Sequence, residues 1–386
     1  MKRVLFKSFL FLLSLSVFMF GTVTCLAKNE EKKKDDSIET AKSAILMCID
    51  TGDIIYEKNA YEHCSPASVT KVMSILLILE AIDSGKISLD DSVAASERAV
   101  EMGGSQIWLE VGEKMTVDEL LKAVVVASAN DACMALGEHI AGSDTGFIKM
   151  MNDKAKELGL ENSNFENCTG LDDTVTNHYS CAYDIAVMAK EVMQHEMIKN
   201  YTSIWLDSLR DGKTELNNTN KLVNTYNGIT GLKTGTTSNA GFCLCATAER
   251  DGMNLVAVVL GCETSDDRFD SATNLLDFGF ANYELVEPQF DKSKITEVKI
   301  KNGIEKSILP SFADAEKILV AKGSGDIEYT YDINKEMPAP VNKGDKLGTI
   351  ILKSGDNTIK TIYLKSDKDI KEVHFSFILE KMLKNI

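Results

Sequence analysis

Apolar positions along the chain fall into blocks of two kinds. Ala44 to Ile49 and Ile54 to Tyr56 are short apolar runs separated by Thr51-Gly52-Asp53, a turn signal that predicts a hairpin at the start of the fold. After Ser65-Pro66 a long apolar stretch runs from Val69 to Ile82 and stops near Ser84-Gly85. It is apolar on nearly every face, which predicts a helix buried at the centre rather than an amphipathic one on the surface. Helical periodicity follows at Val117 to Val126, Asp131 to Ile140, Thr145 to Leu158 and Ala182 to Met193, with Gly-, Asn- and Asp-rich loops between. Strand patterns return at Leu232 to Gly235, Gly241 to Ala248 and Asn254 to Leu260, the last two joined at Asp251-Gly252, and a helix is predicted from Ser271 to Phe280.

Strands at both ends of a region with helices between them imply one antiparallel sheet assembled from distant segments and flanked by helices. The fold class expected is therefore α/β in the broad (α+β) sense. Beyond Pro288 the texture changes to short alternating segments, Ile295 to Ile300, Lys317 to Ala321 and Gly348 to Lys353, as in a second small all-β domain. The expected organisation is an export signal over 1–27, a charged tether over 28–38, a main domain over 39–287, a β domain over 288–371 and an amphipathic helix over 372–386. On a helical wheel Phe375, Ile378, Leu379, Met382, Leu383 and Ile386 share one arc opposite a polar arc, a pattern suited to a membrane surface or to packing on the β domain.

The first residues assign a compartment. Lys2, Arg3 and Lys7 precede a thirteen-residue apolar run from Ser8 to Phe20, the length of a signal-peptide core and short for a membrane span. Cleavage is expected after Ala27. Cys25 invites a lipoprotein reading, but Thr22-Val23-Thr24 lacks the small residue expected beside a lipidated cysteine. Losing those three positive charges takes the net charge from −16 to −19, which speaks against nucleic acid as a partner because a phosphate backbone needs a basic face. Eight cysteines remain after cleavage, most of them inside apolar runs. With a chain long enough to make its own core, buried free thiols are expected over disulfides or a zinc site.

Three short motifs carry candidate chemistry: Ser68-Val69-Thr70-Lys71, Ser128-Ala129-Asn130 and Lys233-Thr234-Gly235. Taken alone, Ser-x-x-Lys is often an exposed lysine one turn from a serine. In combination the motifs describe a serine nucleophile that works without histidine. One helical turn places the Lys71 amine beside the Ser68 hydroxyl, and a buried apolar helix with Lys233 as a second nearby cation would favour the neutral amine that a base requires. Ser128 and Asn130 sit where one helical pattern ends and another begins, so their side chains either enter a cleft or cap the next helix. Lys233, Thr234 and Gly235, on a strand, offer an ammonium and hydroxyl for a carboxylate and a backbone that a substrate can approach closely.

With these motifs in place the sequence resembles the low-molecular-weight penicillin-binding proteins of the serine D-Ala-D-Ala carboxypeptidase family. Asn167-Cys168-Thr169-Gly170-Leu171, the segment from His178 to Asp184, Ala240-Gly241, the segment from Leu275 to Phe280 and the segment from Ala339 to Gly344 resemble further family landmarks. The resemblance implies removal of the terminal D-alanine from peptidoglycan stem peptides ending in D-Ala-D-Ala, inhibition by β-lactams, and no cofactor or metal. The work would lie in maturation of the cell wall or the spore wall, at the outer face of the cytoplasmic membrane, with the C-terminal helix on the membrane surface. It implies Ser68 as acylated nucleophile, Lys71 as base, Ser128 as proton relay and Asn130 as substrate holder. Lys233, Thr234, Gly235 and Thr236 would bind substrate, with the backbone amides of Ser68 and Thr236 as oxyanion hole. Arg268 matches a basic family position that would help bind the terminal carboxylate, with a structural ion pair to nearby aspartates as the alternative. Two departures stand out: Asn217 to Asn220 lacks an arginine that some members carry there, and Thr236 replaces a bulkier residue. The alternatives are a serine β-lactamase, against which Glu166 lacks the expected Glu-x-x-Leu-Asn context, and a non-catalytic wall-binding protein of the same fold.

Overall fold

A computed structural model of the protein describes residues 40–173, 175–312, 317–355 and 357–374. The expected signal (1–27), tether (28–38) and all but the first three residues of the C-terminal helix lie outside the described residues.

A five-stranded antiparallel sheet forms the centre. Its strands are β1 (Ser43–Cys48), β2 (Ile54–Lys58), β3 (Ile229–Thr237), β4 (Gly241–Arg250) and β5 (Met253–Cys262). Their spatial order is β2-β1-β5-β4-β3, so the N-terminal hairpin closes against the last strand and β3 is an edge. Alternation along the strands divides two cores. Ile45, Met47, Cys243, Cys245, Val256 and Val258 face the helices inserted between β2 and β3, and Ala44, Leu46, Leu244, Ala246, Leu255 and Ala257 face the helix that follows β5. Strands apolar on both faces read as continuous apolar runs, and that is how β4 and β5 look in sequence.

The longer of the inserted helices are α1 (Lys71–Asp83), α2 (Val117–Val126), α3 (Asn130–Ala141), α4 (Asp144–Glu157) and α5 (Ala182–Gln194). Ten of the thirteen residues of α1 are buried, Lys71 among them, as its all-round apolar pattern predicts. Thr116 and Glu119 form a capping box that starts α2, and Gly142, in the left-handed conformation, ends α3. The last helix, α6 (Ser265–Asn282), begins six residues before the Ser271 expected from its apolar period. Its first turn is polar, and the start is set by a capping box between Thr264 and Asp267.

The remainder is a C-terminal all-β domain. Strand β6 (Tyr283–Val286) pairs with β9 (Ile318–Ala321), and β7 (Val298–Lys301) lies between β8 (Ser307–Ile308) and β11 (Glu336–Pro338). A third sheet orders β10 (Glu328–Ile333), β12 (Lys346–Ser354) and β13 (Asn357–Lys365). The hydroxyls of Tyr329 and Tyr331 on β10 accept the backbone N–H groups of Gln289 and Asp291, stitching the connecting segment to the domain. Glu372 and Val373, expected to open the terminal helix, are instead tied to the β domain. Glu372 bridges Gly303, and the Val373 N–H donates to the Asn302 carbonyl at 2.7 Å. No helix among the described residues is long and apolar enough to cross a membrane. All eight cysteines among the described residues are unbridged, seven of them buried, in line with the expectation of free thiols.

Candidate active site

Ser68 lies in a 3-10 turn, Ala67–Thr70, that leads directly into α1. Ala67 just before it has φ +47°, a left-handed conformation that costs an alanine on the order of 1 kcal/mol and persists only where surrounding structure imposes it. Gly170 is part of what imposes it. A Cβ on Gly170 would lie 1.8 Å from the Ala67 carbonyl oxygen, so only glycine lets this loop sit against the turn that carries Ser68. Asn167 holds the loop in shape, its Oδ1 accepting the N–H groups of Thr169 (3.1 Å) and Gly170 (2.6 Å). His178 fastens the other side. Its Nδ1 accepts the Glu166 N–H, which leaves the ring proton on Nε2, 2.8 Å from Thr70 Oγ1, and burial lowers its pKa to about 4 and keeps it neutral.

Lys71 is fully buried, with Nζ 3.0 Å from Ser68 Oγ, 2.5 Å from Asn130 Oδ1 and 3.0 Å from the Thr169 carbonyl. A neutral amine has two N–H bonds and one lone pair. With the two oxygens of Asn130 and Thr169 taking the hydrogens, the lone pair is left for the Ser68 hydroxyl, the arrangement a general base needs. Burial lowers the Lys71 pKa to about 8, against smaller opposing effects from Cys133, Cys168 and Asp131. The sequence reading names burial in an apolar helix together with Lys233 as a second cation. In the structure burial is the leading cause for Lys71, and Lys233 is likewise pushed well below its ordinary value by burial, then by Lys71 and Arg268.

Ser128 and Asn130 do not cap α3. The N-cap position is Ala129 and carries no side-chain capping bond, which removes the alternative left open by the sequence. Ser128 has φ +61°, and its Oγ is buried without a hydrogen-bond partner among the described residues. Asn130 donates from Nδ2 to the Gly103 carbonyl (2.6 Å) while its own N–H donates to the Ser105 carbonyl (2.7 Å). Asp131, next to it and fully buried, accepts the N–H groups of Ile107 and Leu109 at 3.1 Å each. This carboxylate fixes the segment from Gly103 to Leu109 along the site.

The third motif lies on the edge strand β3. A Cβ on Gly235 would approach the Pro66 carbonyl to 2.8 Å and the amides of Ser68 and Val69 to 3.0 Å. The room that glycine leaves is therefore filled by the protein's own turn from Pro66 to Val69, and not kept for substrate as the sequence reading had it. Thr234 Oγ1 donates to Thr219 Oγ1 (2.7 Å), and Lys233 Nζ donates to the Thr234 carbonyl (3.0 Å). Arg268, on α6, crosses to this strand and donates from Nη1 to Thr236 Oγ1 (2.9 Å) and the Gly235 carbonyl (3.1 Å). Its guanidinium lies over the Phe242 and Phe269 rings, and its recorded hydrogen-bond partners are all neutral. The alternative of an ion pair with aspartates is not what forms.

A buried lysine amine on a serine at the head of a core helix, with Asn130 on the same amine and Gly235 of a lysine-bearing edge strand against the serine's turn, is an arrangement in which a serine hydroxyl can lose its proton. The family model for D-alanyl-D-alanine carboxypeptidase matches residues 28–264, and that for the penicillin-binding protein 5 C-terminal domain matches 283–372. The chain belongs to the D-alanyl-D-alanine carboxypeptidase family. D-alanyl-D-alanine carboxypeptidase DacF of Bacillus subtilis is 42% identical over 366 residues, 93% of each chain, and DacC of Escherichia coli is 31% identical over 369 residues, 93% of this chain and 91% of that one. Among solved structures, penicillin-binding protein 5 from Haemophilus influenzae superposes with a TM-score of 0.77 at 30% identity, covering 86% of this chain and 98% of its own. Ampicillin-bound penicillin-binding protein D2 from Listeria monocytogenes gives 0.57 at 31% identity, over 62% of this chain and 98% of its own.

This carboxypeptidase is thus a serine-type hydrolase with the antiparallel sheet, flanking helices and C-terminal all-β domain expected of it. Of the residues selected from sequence, Ser68, Lys71 and Asn130 are linked directly by hydrogen bonds, and Arg268 is linked to Thr236. Gly235 abuts Ser68. Sequence reasoning overlooked Asp131, the Thr169 carbonyl and Asp172, whose Oδ2 accepts from both Ser65 Oγ and Thr237 Oγ1 and so ties the two sides of the carboxypeptidase site together. Asp131 carried a readable signal, a carboxylate beside Asn130 in an otherwise apolar helix. A backbone carbonyl such as that of Thr169 carries none.

Proposed function

We propose that this carboxypeptidase cleaves the last peptide bond of D-Ala-D-Ala stem peptides through an acyl-enzyme on Ser68. The observation that carries the reading is the fully buried Lys71 amine, 3.0 Å from Ser68 Oγ with its pKa lowered to about 8. Lys71 takes the Ser68 proton as Oγ attacks the penultimate D-Ala carbonyl. The oxyanion that forms is received by the backbone amides of Ser68 and Thr236. As the C–N bond breaks, the proton passes through Ser128 to the leaving amine, and free D-alanine departs. Water then attacks the ester with Lys71 again as base, releasing the shortened peptide and restoring Ser68.

Lys233, Thr234, Thr236 and Arg268 receive the terminal carboxylate, and its arrival favours the charged form of both basic groups. Asn130 holds the peptide amide, and the free edge of β3 pairs with the peptide backbone. β-Lactams enter by the same attack. Glu166 lacks the Glu-x-x-Leu-Asn context of the glutamate that deacylates a serine β-lactamase, and its Oε2 is engaged with the N–H groups of Thr176 and Asn177, which favours the carboxypeptidase reading. The intact Ser68–Lys71–Asn130 cluster weighs against a merely wall-binding protein.

Penicillin is expected to leave a long-lived covalent adduct on the peptide containing Ser68, read by mass spectrometry, and release of D-alanine from a pentapeptide checks the natural reaction. A label elsewhere, or turnover within seconds, overturns the assignment.

The enzyme acts outside the cytoplasm in maturation of wall peptidoglycan, exported by its N-terminal segment and held at the membrane surface by residues 375–386. The full chain is expected to sediment with anionic vesicles in a salt-sensitive way. A version ending at His374 should stay in the supernatant with unchanged activity on a small peptide. Equal partitioning of the two forms rules the anchor out.

A further inference from the structure

Trp108 is 75% exposed, although its neighbours Ile107 and Leu109 are buried. Its backbone has φ +59°, a conformation that a bulky side chain adopts only where the surrounding structure imposes it. The imposing contacts are specific. Asp131 holds the N–H groups on either side of Trp108, and Arg210 Nη1 donates to the Ile107 carbonyl at 2.8 Å. Arg210 is itself fixed by two hydrogen bonds to Glu113, at 2.6 and 3.0 Å. Among the described residues the indole stacks on no other ring and meets no cation. Rigid backbone and free ring together describe an aromatic platform prepared for something outside the chain.

Its place identifies what that is. The same segment supplies the Gly103 and Ser105 carbonyls that hold Asn130, and Asn130 Oδ1 is 2.5 Å from the Lys71 amine that touches Ser68. Trp108 follows Ser105 by three residues, at most about 11 Å of extended chain. An extended peptide advances about 3.3 Å per residue, so the stem residues before D-Ala-D-Ala fall within this reach, whereas the glycan lies beyond all of them.

Building on the acyl-enzyme reading, we infer that Trp108 is the binding platform for the stem-peptide residues that precede D-Ala-D-Ala, and that it makes the enzyme prefer long peptides to short ones. Aliphatic stems and amino groups of those residues lie against the indole face.

The test compares kcat/KM of the full chain and its variants on an N-acyl-D-Ala-D-Ala dipeptide, a pentapeptide ending in D-Ala-D-Ala, and the same pentapeptide on its disaccharide. In Trp108→Ala the ratio of pentapeptide to dipeptide kcat/KM is expected to fall about tenfold, and in Trp108→Phe to recover to within about threefold of wild type. An unchanged ratio, or equal loss on all three substrates, overturns the inference. A change confined to the disaccharide substrate assigns the ring to glycan and overturns it as well. A wild-type chain that releases D-alanine from none of the three overturns the acyl-enzyme reading itself, a result separable from any effect of Trp108.

Discussion

Lys71→Arg is expected to slow acylation of Ser68 by penicillin by about a hundredfold or more, the usual worth of a general base. Arginine preserves the positive charge and can still donate to Asn130 Oδ1 and the Thr169 carbonyl, the two oxygens that hold the lysine amine. What it cannot do is lose its proton at working pH. The wild-type amine can, because burial has brought its pKa to about 8, so at pH 7 about one molecule in ten carries the neutral base. The sign of the pH dependence follows. The protonated amine has no lone pair, so wild-type acylation rises with pH, about tenfold per unit well below 8, and levels off above it. The variant lacks that inflection. Acylation rates of both proteins between pH 6 and 10 check this, and near-normal rates in the variant, or a flat wild-type profile, would move the base to another residue.

The parts of this site that were legible in the sequence are those built from local spacing. Ser68 and Lys71 lie one turn apart, and an all-apolar run behind them already says that the amine is buried. The hairpin at Thr51 to Asp53 and the one at Asp251-Gly252 were readable for the same reason: turn chemistry is local, and Asp251 and Gly252 take the positive φ values that such a turn demands. Contacts across the chain were not readable. Thr169 reaches Lys71 over 98 residues with a backbone oxygen, which no side-chain pattern announces. Gly235 shows the converse, a glycine whose identity in a motif suggested substrate access while its packing explains it by the approach of Pro66 to Val69. In the β domain the apolar alternation located β12, but β10 was missed because its inward side chains include Tyr329 and Tyr331, whose hydroxyls serve a segment 40 residues earlier. The early start of α6 was within reach, since Thr264 and Asp267 have capping-box spacing; an apolar period alone does not detect a polar first turn.

Ser128→Ala should separate function from stability more sharply than any other substitution in the site. The Ser128 hydroxyl is buried with no partner among the described residues, on a backbone held at φ +61°. An unmade hydrogen bond of this kind costs a folded protein about 1–3 kcal/mol. Alanine keeps the Cβ and therefore the same backbone strain, and removes only the oxygen, so the variant is expected to gain roughly 1 kcal/mol of stability and about 2 °C in Tm. Function goes the other way. Without a hydroxyl to carry the proton from Lys71, the departing amine must leave as an anion or wait for water, and D-alanine release is expected to fall by about a hundredfold to a thousandfold. A residue that weakens the fold while serving the reaction is what a preorganised site produces, because its polar group is placed for the substrate and left unsatisfied until the substrate arrives. Thermal unfolding and product release on the same preparation decide the matter. Lost activity together with lost stability would mean that the hydroxyl has a structural partner in the folded protein, and retained activity would place the proton relay on another group.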